Sequence, residues 1–253
     1  MTWRTLCRAV CCGLALLANL AAAQTLTVSA AASLGQAMRE MARLFEAAHS
    51  GASLRLNFAA SGVLTQQMAQ GAPVDVLLSA DEESLRRGLE LKLLDPASQR
   101  YFATNQMVLV VPQVVTAGAS AQVKQLADLA QPAVRRIALG KPATVPAGRH
   151  AQQALQDAGL WLSLQPRLVL ADNVRLVLDY VARGEVDAGF VYRTDAALMP
   201  DAVRVIQVIS GPVRYPAAAA TDSRQPALAR TFIAFLLSPE AQAVLQGHGF
   251  GAP

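Results

Sequence analysis

The chain has 253 residues, of which 53% are hydrophobic and 16% are charged, and its formal net charge is +4. It contains no run of basic residues and no interleaving of aromatic with basic side chains, so we expect no nucleic-acid partner. The length fits one large domain or two domains of about 100–150 residues each.

Residues 1–23 have the pattern of an export signal. Arg4 and Arg8 form a basic region, residues 9–20 are apolar, and three alanines ending at Ala23 offer a small-residue cleavage site. The apolar stretch is shorter than the roughly 20 residues that a membrane-spanning helix needs. We therefore expect cleavage after Ala23 and export to the periplasm.

All three cysteines of the chain lie inside this segment, at Cys7, Cys11 and Cys12. Most of the apolar region follows Cys11 and Cys12 instead of preceding them, which disfavours a lipoprotein signal. Cleavage after Ala23 removes two arginines and no acid, which leaves 230 residues with a net charge of +2 and no cysteine. Disulfides, thiol catalysis and cysteine metal sites are then excluded.

Short apolar strands alternate with helical patterns along the rest of the chain, which indicates parallel βαβ units and an α/β fold. The predicted strands cover residues 26–30, 54–58, 74–78, 106–111, 137–139, 168–170, 188–191 and 213–219. Helices are predicted after each of the first three strands, around 149–158 and 174–183, and twice near the end of the chain.

A weak internal repeat indicates two related lobes. Residues 71–81 and 184–195 share a glycine, an aspartate before an apolar strand, and a polar corner after it. If the halves are separate open sheets, the carboxyl ends of their strands form facing crevices, where ligands bind in such folds. We expect a cleft between lobe 1, residues 24–104 plus 216–253, and lobe 2, residues 105–215.

Two stretches of the first half share one layout, a strand followed by Ala-Ala-Ser and a helix. Ser33 and Ser61 stand at the starts of the two helices. Each serine has an ordinary explanation as a helix cap. However, the unpaired N–H groups and the positive end of a helix also suit an anion. Two such corners without a charged side chain predict an oxyanion that is held by neutral donors.

Two corners of the second half match these. Residues 144–148 precede one helix, and there the proline fixes the backbone while Ala147 and Gly148 leave N–H groups open. Residues 172–174 precede the next helix, and Tyr192 ends a strand at the same edge. Either corner is also explained as a capped helix, and a lone tyrosine as packing. The convergence of four other corners favours a role for Tyr192 in the cleft.

Six motifs in order resemble the periplasmic molybdate-binding proteins that feed ABC importers, the ModA family. The resemblance covers nearly all of the chain after the signal. The motifs are AASL at 31–34, FAASG at 58–62, QGAPVD at 70–75, VPAG at 145–148, NVR at 173–175 and VY at 191–192.

This resemblance implies a two-lobed type II periplasmic binding protein that closes on molybdate or tungstate and delivers it to a membrane permease. It implies that the hydroxyls of Ser33, Ser61 and Tyr192 donate to the oxyanion. The backbone N–H groups of Ala147 and Val174 complete the implied shell. No cofactor and no catalytic residue are expected, the ion is bound as an anion and not as a cation, and we expect a monomer.

Lys141 and Arg193 depart from the family pattern, since an acidic or amide residue and a small residue are usual there. Both either raise the positive potential near the cleft or pair with Asp172 or Asp195, and we favour the pairing.

The ligand preference rests on the resemblance. A fully deprotonated dianion only accepts hydrogen bonds, so N–H and O–H donors suit it, whereas protonated phosphate also needs an acceptor. Size then separates molybdate and tungstate from the smaller sulfate, whose oxygens could not meet all donors at once, but the size of the cavity is not given by the sequence. A receptor for sulfate or thiosulfate is therefore the alternative.

Catalysis is not expected. The histidines, His49, His150 and His248, share no motif with a serine, and no Gly-x-Ser-x-Gly elbow is present. No set of His and carboxylate residues has the spacing of metal ligands. An effector domain of a transcription regulator can share this fold, but the export signal opposes that interpretation.

Overall fold

The computed structural model describes residues 24–113 and 123–253. The predicted export signal and its cysteines lie outside the described residues. Within the described ranges, no single helix has the length and apolar composition to cross a membrane. The helices Pro226–Phe235 and Pro239–Gly247 meet those criteria only as a bent pair taken together.

Eight strands of the described residues form one mixed sheet in the order β2-β1-β3-β8-β4-β7-β5-β6. They are β1 Gln24–Ala31, β2 Ala52–Ala59, β3 Val76–Leu78, β4 Arg100–Pro112, β5 Ile137–Gly140, β6 Leu168–Ala171, β7 Ala188–Tyr192 and β8 Val203–Ala219. Each of them overlaps one predicted strand, so the α/β class is confirmed.

Nine α-helices flank the sheet in the described part of the chain. They are α1 Gly35–Ala48, α2 Ser61–Ala69, α3 Glu82–Glu90, α4 Pro146–Asp157, α5 Trp161–Leu164, α6 Val174–Ala182, α7 Arg193–Ala196, α8 Pro226–Phe235 and α9 Pro239–Gly247. All seven predicted helices are found, and the sequence pattern misses only α5 and α7, which have four residues each.

The sheet consists of two parallel sets of strands joined by two long antiparallel strands. β1 pairs in parallel with β2 and β3, and β5 pairs in parallel with β6 and β7. β4 and β8, of 13 and 17 residues, connect the sets through antiparallel pairing. Each parallel set with its helices forms one lobe. The lobes therefore share one continuous sheet instead of being two separate open sheets.

The pairing of β4 with β8 is irregular near its middle. Register shifts lie between Asn105 and Met107 and again between Met107 and Val108. The predicted crossing of the chain near Asn105, and its return near residues 213–215, fall at this irregularity. Because bulged ladders bend strands, this is the place where we expect the lobes to move relative to one another. The proposed lobe boundaries stay predictions.

Aromatic side chains fill the core below the junction of the lobes. Tyr215 on β8 is fully buried, and its ring packs edge-on against Tyr192, Phe250 and Phe102 at centroid distances of 5.9, 5.5 and 6.4 Å. Such pairs contribute about 0.5–1.5 kcal/mol each beyond the burial of their area. The cluster therefore holds β7 and β8 firmly against one another beneath the cleft.

Candidate anion site between the two lobes

A small cavity lies where the carboxyl ends of the parallel strands from both lobes meet. The space in it that protein atoms leave free, open solvent included, is about 210 Å³. Its lining consists of Ala31, Ala32, Ser33, Ala60, Ser61, Ala80, Val145, Pro146, Ala147, Asn173, Val174 and Tyr192. This lining includes all five residues that the sequence predicts for the ligand. None of the described residues that line it carries a charge.

A larger groove lies beside this cavity, between α3, α4 and β8. It is open to solvent and lined largely by charged side chains, among them Glu82, Glu83, Arg86, Arg149 and Arg214. None of the five predicted ligand residues lies in it. The small uncharged cavity is therefore the candidate site.

Ser61 presents a hydroxyl proton to the cavity. It is the first residue of α2 and fully buried, and its side chain does not cap the helix. Instead its Oγ accepts a hydrogen bond of 3.0 Å from the backbone N–H of Ala80. Among the described residues no acceptor is bonded to the Ser61 hydroxyl proton, so this proton is available to a ligand.

Ser33 lies in a 3-10 turn, Ala32–Leu34, that precedes α1, and it is 3% exposed. Its side chain caps neither the turn nor α1. Its Oγ lies 3.0 Å from the phenol oxygen of Tyr215, so the two hydroxyls share one hydrogen bond. The helix-cap explanation is therefore wrong for both serines.

Two backbone N–H groups of the second lobe complete the donor set. Ala147 follows Pro146 in the first turn of α4, and Val174 is the first residue of α6. The Asn173 side chain caps α6 and accepts from the N–H groups of the two residues after Val174. In the described part of the chain, no acceptor is bonded to the N–H of Ala147 or Val174. Both N–H groups therefore lie free at the positive ends of their helices, beside the cavity.

Tyr192 brings a third hydroxyl to the cavity. It ends β7, is 1% exposed, and its O–H donates to the carbonyl oxygen of Ala80 at 3.3 Å. Burial raises the pKa of the Tyr192 phenol well above its ordinary value, so the group remains a donor. The long bond to Ala80 crosses the cleft, and an ion in the cavity would compete for the same proton.

An ion pair lies directly behind this lining. Arg175 on α6 donates through Nη2 to the Ser33 carbonyl at 2.8 Å, and its Nε lies 2.9 Å from Oδ1 of Asp195, without hydrogen-bond alignment. Asp195 is fully buried, and its Oδ2 accepts from the Tyr192 N–H at 3.1 Å. Burial raises the pKa of Asp195 to about 6, although Arg175 and the Tyr192 N–H favour the carboxylate.

A second ion pair and a backbone bond cross the cleft on its other side. Arg149 on α4 donates to Oδ2 of Asp81 through Nε at 2.9 Å and Nη2 at 2.5 Å, and Nη2 also contacts Ser84 Oγ at 2.7 Å. The N–H of Gly62 donates to the Thr144 carbonyl at 3.0 Å. These contacts hold α2 and α3 of one lobe against the start of α4 in the other.

The structure supports one of the two expected lysine and arginine pairings and corrects the other. Lys141 forms an ion pair with Asp172, as expected, and both side chains are largely exposed. Arg193 donates to Oε1 of Gln106 at 3.0 Å and contacts neither aspartate. Asp195 already pairs with Arg175, a contact that no local sequence pattern marks because the two residues are 20 positions apart.

The histidines do not contact the serines of the cavity. Nδ1 of His49 is bonded to the Phe45 carbonyl at 2.9 Å, Nε2 of His248 lies 2.9 Å from Glu40, and His150 lies outside the cavity lining. Within residues 24–113 and 123–253, no group of three or more His, Cys, Asp or Glu residues is placed to hold a metal ion.

Residues 26–251 match the family model described as bacterial extracellular solute-binding protein. The chain belongs to this family. YvgL of Bacillus subtilis strain 168, provisionally named an ABC transporter substrate-binding lipoprotein, is 34% identical over 90% of this chain and 86% of its own length. The molybdate-binding protein ModA of Escherichia coli K12 is 33% identical over 89% of this chain and 88% of its own length.

The fold agrees with these relatives. The periplasmic molybdate-binding protein of Azotobacter vinelandii superposes on this chain with a TM-score of 0.74 at 25% identity, covering 90% of this chain and 99% of that one. Membership of the molybdate-binding family and the two-lobed α/β architecture are thereby confirmed. The family consists of solute-binding proteins that act without a cofactor and are not enzymes, as the sequence predicts.

Proposed function

We propose that the chain captures molybdate, and also tungstate, and delivers it to the permease of an ABC importer. Relatives named as molybdate-binding proteins match nearly the whole described chain and support this proposal. The observation that carries it is the uncharged donor set of the cavity, which combines three hydroxyls with two free N–H groups. In this proposal the donors are Ser33, Ser61, Tyr192, Ala147 and Val174.

The donor set matches the chemistry of the ion. Molybdate is a tetrahedral dianion without a proton, so all of its oxygens accept hydrogen bonds. A buried charge is costly unless each oxygen is bonded, and fixed helix ends provide donors that need no reorganisation. Each lobe alone offers only part of the donor shell. Binding of the ion is therefore coupled to closure of the two lobes around it.

Purified protein with the signal removed tests the ligand. We expect molybdate and tungstate to raise the melting temperature, with sulfate, thiosulfate and phosphate much weaker. At a ligand concentration of 100 times Kd, the added stability is about 2.7 kcal/mol. Stabilisation by sulfate or thiosulfate, without any effect of molybdate, would contradict the proposal and favour the alternative receptor.

Three variants test the residues. Ser33→Ala, Ser61→Ala and Tyr192→Phe should each weaken molybdate binding by about 1–3 kcal/mol, because a charged acceptor loses its donor. Isothermal titration calorimetry measures this loss. Ser163→Ala removes an exposed hydroxyl on α5 that is bonded only to the Leu160 carbonyl, and it serves as the matched control. Unchanged affinity in all three variants would remove these residues from the site.

We also propose that the mature protein begins after Ala23 and works as a monomer in the periplasm. The family's extracellular character supports export. Mass spectrometry of the exported protein should give a free N-terminus at Gln24, and light scattering should give the mass of one chain. A lipid on Cys11 or Cys12 would contradict the proposed cleavage.

A further inference from the structure

Asn105 has a fixed orientation at the base of the cleft. It lies on β4 and is 4% exposed. Its Oδ1 accepts from the backbone N–H of Gln106 at 2.9 Å. A backbone N–H can only donate, so this contact identifies the oxygen end of the amide, and the NH₂ end must face the other way. That end lies 2.9 Å from Thr194 Oγ1 and 3.3 Å from the phenol oxygen of Tyr215.

The orientation of Asn105 decides which way the next hydroxyl points. Because the Asn105 NH₂ donates to the Tyr215 oxygen, the Tyr215 proton is left for another acceptor. Ser33 Oγ, at 3.0 Å, is the acceptor that the structure provides. Burial raises the pKa of Tyr215 far above its ordinary value, so this proton is present at any physiological pH. Tyr215 therefore donates to Ser33.

The proton of Ser33 is then directed into the cavity. Its oxygen accepts from Tyr215, and in the described part of the chain its own proton has no protein acceptor. The proton of Ser61 is also free, and here the group that donates to the serine oxygen is the backbone N–H of Ala80. Both serines thus have an occupied oxygen and a free proton.

We propose that Asn105 and Tyr215 are positioning residues that make Ser33 a donor and so select fully deprotonated oxyanions over oxyanions that carry a proton. This inference rests on the proposed function. A protonated oxyanion such as hydrogen phosphate must donate its proton to some acceptor. If the serine oxygens are occupied, neither serine can accept that proton, and a buried donor left without an acceptor is strongly disfavoured.

Sulfate and phosphate provide the readout, because both are tetrahedral and only phosphate carries a proton near neutral pH. Asn105→Asp reverses the chain of bonds: the carboxylate accepts from Tyr215, Tyr215 accepts from Ser33, and the Ser33 oxygen faces the cavity. We expect phosphate binding to rise relative to sulfate binding by about tenfold or more. The titration is run above the second pKa of phosphate, where hydrogen phosphate and sulfate are both dianions, so the added negative charge weakens both ions alike and leaves this ratio unchanged.

Tyr215→Phe is the second variant, since it frees the Ser33 oxygen without adding a charge. We expect the same direction of change and a smaller size, because Ser33 can then either donate or accept. Gln106→Glu adds a charge at the next position, and Tyr180→Phe removes a phenol from α6 that is outside the cavity lining. Both controls should keep the ratio of the wild-type protein. Calorimetry, with competition against molybdate for weak ions, measures the ratio.

The outcomes separate this inference from the proposed function. Wild-type protein that binds no molybdate contradicts the proposed function, and the phosphate-to-sulfate ratio still reports on Asn105 and Tyr215. If both variants fold and their ratio stays within about threefold of the wild type, the positioning role is overturned. Variants that still bind neither phosphate nor sulfate overturn it as well, because the freed Ser33 oxygen should admit phosphate.

Discussion

The charged residues nearest the cavity lie behind the residues that line it, and they occur in pairs. Asp195 pairs with Arg175 and Asp81 pairs with Arg149, and all four stand behind the neutral lining. A free arginine in the cavity would attract any anion, carboxylates included. Paired charges instead hold the residues that supply the donors, as Asp195 does by accepting from the backbone N–H of Tyr192. Selectivity then depends on donor geometry.

The raised pKa of Asp195 predicts that the stability of the protein depends on pH. Its pKa is about 6 in the folded protein, and its ordinary value is 3.8. Between these values the folded state binds more protons than the unfolded state, so the contribution of Asp195 to the unfolding free energy falls as pH rises from about 4 to about 6. A shift of about two units corresponds to about 3 kcal/mol. Asp195→Asn should lack this fall.

Urea unfolding of the ligand-free protein at several pH values measures the difference between wild type and Asp195→Asn. Asp172→Asn, at an exposed aspartate paired with Lys141, should keep the wild-type dependence and is the matched control. Parallel curves for wild type and Asp195→Asn would show that Asp195 does not titrate in this range.

At the level of elements, the cavity is formed by helix starts. α2, α4 and α6 each begin directly beside it, so their positive ends point at one place. The start of α6 is fixed by the cap of Asn173, which itself lines the cavity. α4 is held across the cleft by the contact of Arg149 with Asp81. We expect this contact to stabilise the closed arrangement of the lobes.

Arg149→Gln tests that contact. It removes the partly buried ion pair while α4 and the cavity lining stay in place, so we expect molybdate affinity to fall by roughly tenfold, mainly through faster release. Arg86→Gln removes an exposed ion-pairing arginine on α3 and should leave the affinity unchanged. Stopped-flow displacement measures the release rate. An unchanged rate in Arg149→Gln would mean that the pair does not stabilise closure.

At the level of the whole molecule, the arrangement of the cavity requires a close approach of the two lobes. A side chain at Gly62 would place its Cβ 2.7 Å from the carbonyl oxygen of Thr144 in the other lobe. The continuous strands β4 and β8 allow the lobes to separate without breaking the chain's fold. Ligand donors from both lobes meet only when they approach. Because of its bonds across the cleft, we expect the described arrangement to be the closed one.

Gly62→Ala should therefore hinder closure. We expect molybdate to reduce the radius of gyration of the wild-type protein and to reduce it less in Gly62→Ala, with weaker affinity in the variant. Gly247→Ala, at a helical glycine with open space around it, is the control. Small-angle X-ray scattering with and without molybdate measures the change. An identical radius in wild type with and without the ion would argue against a closing cleft.

The α/β class, the family and five of the twelve residues that line the cavity could be predicted from the sequence. These depend on local patterns: the alternation of strands and helices, and short motifs at strand ends. The sequence predicted β4 and β8 only in part, because residues 100–105 mix polar with apolar side chains and residues 203–212 end in Gly-Pro. Residues 100–105 become a strand because they pair with residues 213–217 of β8, and residues 203–210 because they pair with residues 107–112 of β4.

The orientation of the donors and the contacts that support them depend on tertiary packing. Tyr215 contacts Ser33 from 182 residues away, and Asn105 contacts Tyr215 from 110 residues away. No local pattern marks such partners, since a buried polar group is satisfied by whichever element folding brings beside it. A serine hydroxyl donates into the cavity when a neighbouring group donates to its oxygen. Which group does so is set by the packing of the two lobes.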